Sequence, residues 1–223
     1  MNKILVVAPH PDDETLGCGG MLLKNKLEGA ELYWLIMTKM TDNPQAKNDK
    51  AKKRQLEIYK VGEAYGFKKI MVLDFPPAEL DTIPIKTVIG KISEFVTEIE
   101  PNEIYLPFPR DAHSDHKIAF DACISVTKWF RYPSVTKVYA YETQSETDFD
   151  ISPDSSGFKP NTFVDISQTI QQKIEIAEIY EGEFLHHPFP RSSLAIKALG
   201  KVRGIASGFE HAEAFMLLKH RIL

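Results

Sequence analysis

Apolar runs of strand length alternate along this chain with longer segments of helical period, and that alternation admits few architectures. Lys3 to Ala8 precedes Thr15 to Glu28, Glu31 to Thr38 precedes Ala46 to Tyr65, and Lys69 to Leu73 precedes Thr82 to Glu98. Glu103 to Pro107 then leads into His116 to Trp129, with Lys137 to Thr143 beyond. Strand and helix in succession predict an α/β fold whose mainly parallel sheet is wrapped by helices. The first strand carries Ile4-Leu5-Val6-Val7, apolar on both faces, and belongs near the middle of the sheet.

Helix-to-strand connections are short, such as Gly29-Ala30 and Pro101-Asn102, whereas strand-to-helix connections are long and polar. Lys39 to Gln45, Asp74 to Asp81, Phe108 to Asp115 and Gln144 to Asn161 all emerge at the carboxyl edge of a parallel sheet, where open α/β folds bind ligands. The stretch Ser152 to Pro160 reads as a loop covering a site there. After it come a short strand, Phe163 to Asp165, and a helix, Ser167 to Tyr180, capped by Asp165 or Ser167. A proline-broken loop, Phe184 to Ser193, leads to a helix over Ser193 to Val202, and the apolar segment Ala212 to Leu218 is undecided between helix and strand. With no linker or repeat, residues 1–223 read as a single domain able to bury about 70% of its unfolded surface.

The 27 basic and 31 acidic residues make the protein mildly acidic, which argues against electrostatic binding of nucleic acid or anionic lipid. Two cysteines, Cys18 and Cys123, make no disulfide framework and suit a reducing compartment. No apolar stretch approaches the roughly 20 residues that span a bilayer, and the N-terminal run is too short for a signal peptide. A cytoplasmic protein acting on a small molecule is expected, with homo-oligomerisation compatible.

The first strand ends in Pro9-His10-Pro11-Asp12-Asp13-Glu14, one imidazole and three carboxylates beside the core. Unpaired carboxylates there cost several kcal/mol of desolvation, so such a cluster calls for a cation or a hydrogen-bond cage. A second polar knot, His113-Ser114-Asp115-His116, follows another predicted strand. Catalytic zinc takes three ligands and keeps a position for water. His10 and Asp13 offer two from one turn, and His116 the third from across the cleft. Water acidified to a pKa of about 7 still needs a base. Asp12 is the candidate, although adjacent aspartates leave open which one binds and which one faces the water. His113, close to Asp115, is a candidate imidazolium for an oxyanion or a leaving amine.

Gly17, Gly19 and Gly20 each cost a helix interior about 1 kcal/mol, so they imply close packing, close approach to a ligand, or a helix that starts only near Met21. No Gly-x-Gly-x-x-Gly follows the first strand and no Walker-type lysine occurs, which disfavours nucleotide binding by those routes.

Taken together, Pro9 to Glu14, Gly17-Cys18-Gly19-Gly20 and His113 to His116 resemble the signature of the PIG-L/LmbE-like family of zinc-dependent N-deacetylases. Arg54 with Glu57, Tyr141-Glu142-Thr143 and Ala212-Glu213-Ala214-Phe215 are similar to recurrent family features. The resemblance implies a Rossmann-like three-layer sandwich and removal of an acetyl group from an amino sugar or sugar conjugate of the N-acetylglucosaminyl type. It further implies that His10, Asp13 and His116 bind Zn2+, with other divalent transition metals able to take the same ligands. By the same analogy Asp12 is the general base, His113 oriented by Asp115 assists the tetrahedral intermediate or the amine, and Arg54 contacts substrate or orients the site. Asp111 stands where some members place an oxyanion-assisting tyrosine, and Glu181-Gly182-Glu183 replaces a Ser-Gln pair.

Arg110 and Arg191 lie in predicted site loops and are candidate readers of a phosphate, carboxylate or sugar hydroxyl. Phe149, Phe158, Phe184 and Phe189 either wall a sugar face or pack loops onto the core. His186, His187 and His211 show no metal-ligand spacing. The alternatives are cleavage of another sugar or thiol amide, and a non-catalytic sugar- or nucleotide-binding module.

Overall fold

The computed structural model describes residues 1–40, 50–151 and 157–222. Four β/α units and a fifth strand come first: β1 (Lys3–Ala8), α1 (Asp13–Leu27), β2 (Glu31–Thr38), α2 (Lys50–Tyr65), β3 (Lys69–Phe75), α3 (Ile85–Ile99), β4 (Glu103–Pro107), α4 (Ser114–Ile124) and β5 (Lys137–Tyr141). Then follow β6 (Thr162–Asp165), α5 (Ile170–Ala177), α6 (Ser193–Ser207) and β7 (Ala212–His220). The seven strands run in the order β3-β2-β1-β4-β5-β7-β6. β1 lies inside the sheet, parallel to β2 on one side and β4 on the other.

Alternate residues of β1 feed the two outer layers, as the period of a strand requires. Leu5 and Val7 join a buried cluster with Val88, Ile92 and Phe95 of α3 and Ala119 and Ala122 of α4. Ile4, Val6 and Ala8 pack on the opposite face with Met21 and Leu22 of α1 and Val61 and Tyr65 of α2. Both cysteines are buried and free. Among the described residues no helix is long and apolar enough to cross a membrane.

The undecided segment 212–218 is a strand. β7 runs antiparallel between β5 and β6, the only departure from parallel pairing among the described strands. The helix expected over Ser167 to Tyr180 is shorter, because Asp165 accepts the N–H and hydroxyl of Ser167 at 3.0 and 2.6 Å in a local turn; neither Asp165 nor Ser167 caps it. Helix α6 runs past Val202 to Ser207, where Gly208 ends it at φ 81°. Residues 46–49 of the expected second helix, 41–45 of the loop before it and 152–156 of the covering loop lie outside the described residues.

Helix α1 begins at Asp13, so its glycines are interior and close packing accounts for them. A Cβ on Gly17 would collide with the Tyr141 ring, and one on Gly20 would sit 2.5 Å from Ile166 Cγ2. Gly19 makes room for Tyr65 and Lys173. Glu213 of β7 takes the main-chain N–H of Gly20 and Met21, each at 2.7 Å, in the middle of α1. Lys173 of α5 donates to Glu213 Oε1 at 2.7 Å and to the Leu16 carbonyl at 2.8 Å. This buried pair therefore ties α1, α5 and β7 through main-chain groups in the interior of a helix.

Removing one partner of a buried pair strands the other charge. Lys173→Ala is expected to lower stability by about 3–5 kcal/mol, with Lys173→Met/Glu213→Gln less destabilised than the single variant. Urea unfolding midpoints at constant m-value check both.

Candidate active site

The first polar knot leaves β1 through His10, flanked by prolines, and turns at Asp12, which has φ 134° and ψ −28°. A non-glycine residue there stores about 1–3 kcal/mol of strain and needs a surrounding cage. Glu14 supplies part of it. Its Oε2 accepts the Asp12 N–H at 3.0 Å, while Oε1 accepts the hydroxyls of Thr15 at 2.6 Å and Tyr180 at 2.7 Å. Burial pushes the Glu14 carboxyl up to about 8. The Asp12 carbonyl meanwhile accepts the N–H groups of Thr15 and Leu16, which starts α1.

The parallel β1–β4 pair brings the second knot alongside. The His10 and His113 rings lie 4.4 Å apart and His10 and His116 5.6 Å apart, centroid to centroid. Nitrogen and oxygen atoms of His10, Asp13 and His116 fall within 4.8 Å of one another, close enough to hold one metal ion. His10, His113 and Asp115 meet the same distance test, but the Asp115 oxygens are already taken by His10 Nε2 at 2.9 Å and the N–H groups of Ala78 and Leu80. In the first set Asp13 Oδ1 and His116 Nε2 are buried without a hydrogen-bond partner. His116 Nε2 is 3.3 Å from Asp13 Oδ2, near enough for attraction though misaligned for a hydrogen bond. Orphaned donor atoms that converge in this way fit a cation.

Each imidazole of that set is backed by a carboxylate. Asp111 Oδ2 meets His116 Nδ1 at 2.7 Å, and Asp115 Oδ2 meets His10 Nε2, so the nitrogens nearest Asp13 are His116 Nε2 and His10 Nδ1. Such partners set the tautomer and raise ligand basicity. Asp111 is buried and turned to His116, with Thr147 on its other oxygen at 2.6 Å. It therefore does not take up the oxyanion-assisting position of a tyrosine.

Two expectations for His113 change. The Asp115 carboxylate serves His10; only the Asp115 main-chain N–H reaches His113, donating to Nδ1 at 3.1 Å as the cap of α4. With Nδ1 an acceptor, Nε2 carries the proton of a neutral ring. Burial and the neighbouring histidines hold the His113 pKa below its ordinary value, which disfavours the imidazolium form.

Asp12 is buried beside this set, and burial pushes its carboxyl up to about 7 against the pull of Arg191. Arg191 Nη1 donates to Asp12 Oδ2 at 2.6 Å, while Oδ1 is buried and unpartnered. Arg54 reaches the Pro11 carbonyl at 3.3 Å and Glu183 at 2.7 Å. Arg110 pairs with Asp150 at 3.3 Å. Phe184 lines a small, half-open pocket with Asp12, Leu16, Tyr180 and Arg191. Phe158 instead packs on Phe108. His186 and His187 are exposed, and none of the three remaining candidate histidines joins the metal-ligating groups found among the described residues.

Sequence reasoning missed Glu14 as a backbone clamp, Asp111 as a partner of His116, and Glu146, which accepts the His113 N–H at 3.1 Å and faces Arg191 at 3.4 Å. The five-residue interval between Asp111 and His116 was a usable signal. For Glu146, 33 residues from His113, no local signal exists.

A mostly parallel sheet between two helical layers carries at its carboxyl edge carboxylate-backed histidines and a spare buried aspartate, a donor set that could hold a metal ion. The family profile described as PIG-L: GlcNAc-PI de-N-acetylase matches residues 5–127, and the chain belongs to this family of N-deacetylases. It is similar to the diacetylchitobiose deacetylase of Thermococcus kodakarensis, 27% identical over 96% of this chain and 82% of the relative. Among solved structures, the conserved protein TT1542 of Thermus thermophilus superposes with TM-score 0.78 at 25% identity, covering 100% of this chain and 97% of the other. The N,N'-diacetylchitobiose deacetylase of Pyrococcus horikoshii, solved with an inhibitor, shares the fold at TM-score 0.79 and 21% identity, over 98% and 84% of the two chains.

Asp111→Asn and Asp115→Asn are each expected to weaken metal binding roughly 10–100-fold with the fold kept. Competition with a fluorescent chelator, alongside circular dichroism, measures this.

Proposed function

We propose that this protein removes the N-acetyl group from an amino sugar or sugar conjugate of the N-acetylglucosaminyl type, with Asp12 as general base. The observation that carries the reading is the asymmetry of Asp12: Oδ2 is fixed by Arg191, and Oδ1 is buried, unpartnered and adjacent to the metal-ligating set. A binding module needs ligands but has no use for a strained, spare carboxylate.

His10, Asp13 and His116 would hold Zn2+ or another divalent transition ion, which supplies Lewis acidity to water and to the amide carbonyl. Asp12 Oδ1 takes the proton of the attacking water, and Oδ2 stays on Arg191 so the carboxylate does not rotate away. His113 Nε2–H donates to the oxyanion that develops on the carbonyl, its ring held by the Asp115 N–H. The proton gathered by Asp12 passes to the amine nitrogen as the C–N bond breaks, releasing acetate and a free amino sugar. The resemblance to diacetylchitobiose deacetylases supports a sugar acetamide as substrate.

Acetate and free amine are expected in equal amounts from N-acetylglucosaminyl compounds, with loss of activity on chelation and recovery with Zn2+. Asp12→Asn should keep its metal and lose a factor of about 10²–10⁴ in kcat. Full turnover by the metal-loaded variant would remove Asp12 as the base.

A further inference from the structure

Arginines at the mouth of a sugar-processing site invite the reading that they grip an anionic substrate. Their partners argue otherwise. Arg191 divides its guanidinium among four groups: Asp12 Oδ2 at 2.6 Å, Ser145 Oγ at 2.8 Å, Glu146 Oε1 at 3.4 Å and Glu183 Oε2 at 3.5 Å. Arg54 is divided between Glu183, Glu57 at 3.4 Å and the Pro11 carbonyl. Both side chains are mostly buried, 17% and 11% exposed. A phosphate that recruited either one would leave a protein carboxylate partly buried and unpaired, the costly outcome for a buried ion pair.

The charge balance points the same way. Around these two guanidinium groups stand the four carboxyl groups of Asp12, Glu57, Glu146 and Glu183. The rim therefore repels an anion, and like charges across an interface exclude wrong partners. Arg110, on the neighbouring loop, meets Asp150.

We propose that Arg191 is the positioning residue of Asp12, and that the site takes an uncharged acetamido sugar in preference to a phosphorylated or carboxylated one. This rests on the deacetylase reading above and adds to it the charge class of the substrate. Glu146 completes the arrangement by holding both Arg191 and the His113 main chain, so the base and the oxyanion donor share one anchor.

The test uses the Zn2+-loaded wild-type protein with N,N'-diacetylchitobiose, N-acetylglucosamine and N-acetylglucosamine 6-phosphate, reading acetate release. At least one of the two neutral sugars should exceed the phosphate ester in kcat/KM by roughly tenfold or more. Equal or better turnover of the phosphate ester would overturn the proposal. Arg191→Met should cut kcat on the neutral sugar about a hundredfold with KM nearly unchanged, at wild-type metal content, and Arg191→Lys should recover part of the loss. A selective rise in KM for the phosphate ester at unchanged kcat would overturn the positioning role, as would no change at all. Should Arg191→Met not fold, the wild-type substrate comparison decides the charge class and Arg191→Lys the positioning role. No acetate from any of the three would instead overturn the deacetylase reading itself, and this inference with it.

Discussion

The parallel pairing of β1 with β4, in register from Ile4 and Glu103 to Val6 and Tyr105, is the contact on which the site depends. Each strand ends in a polar knot, and their adjacency sets two imidazoles against one buried carboxylate, Asp13. Three acids here, Asp13, Asp111 and Asp115, have no solvent exposure. Their desolvation is offset by imidazoles, backbone N–H groups and a geometry suited to a cation, so the cluster holds together only as a set.

Placing Asp12 and Asp13 is the task of α1. Both stand at its N-terminus, where the dipole favours negative charge. The helix must also lie close to the sheet. Gly17 lets the Tyr141 ring against the helix, the Tyr141 hydroxyl bonds the Val7 carbonyl at 2.8 Å, and Glu213 with Lys173 fastens the middle of the helix to β7 and α5. The strained turn at Asp12 is thus carried by a helix anchored along its length. Strain of this kind persists where the surroundings over-determine it, and it points to use of the carboxylate.

The arginines illustrate how chemistry read from composition changes on folding. Arg54, Arg110 and Arg191 look like anion readers in a list of loop residues. In the fold each meets protein carboxylates, and Arg191 becomes part of the apparatus that holds Asp12.

The strand and helix succession, the interior position of β1 and the two knots at one sheet edge were all legible in the chain, because they follow from hydrophobic period and loop length, which are local. That His10 and His116 would meet beside one of the Asp12/Asp13 pair was legible for the same reason: strand ends in a parallel sheet share an edge. Which carboxylate backs which imidazole was not legible. Asp115 lies two residues from His113 yet serves His10, 105 residues away, because the helix cap turns its carboxylate from its neighbour. The state of residues 212–220 was likewise undetermined, since a short apolar run becomes a strand only when β5 and β6 offer it partners. Residue types and their periods decided what could meet at the edge; long-range hydrogen bonding and side-chain direction, which exist only in three dimensions, decided what each group does there.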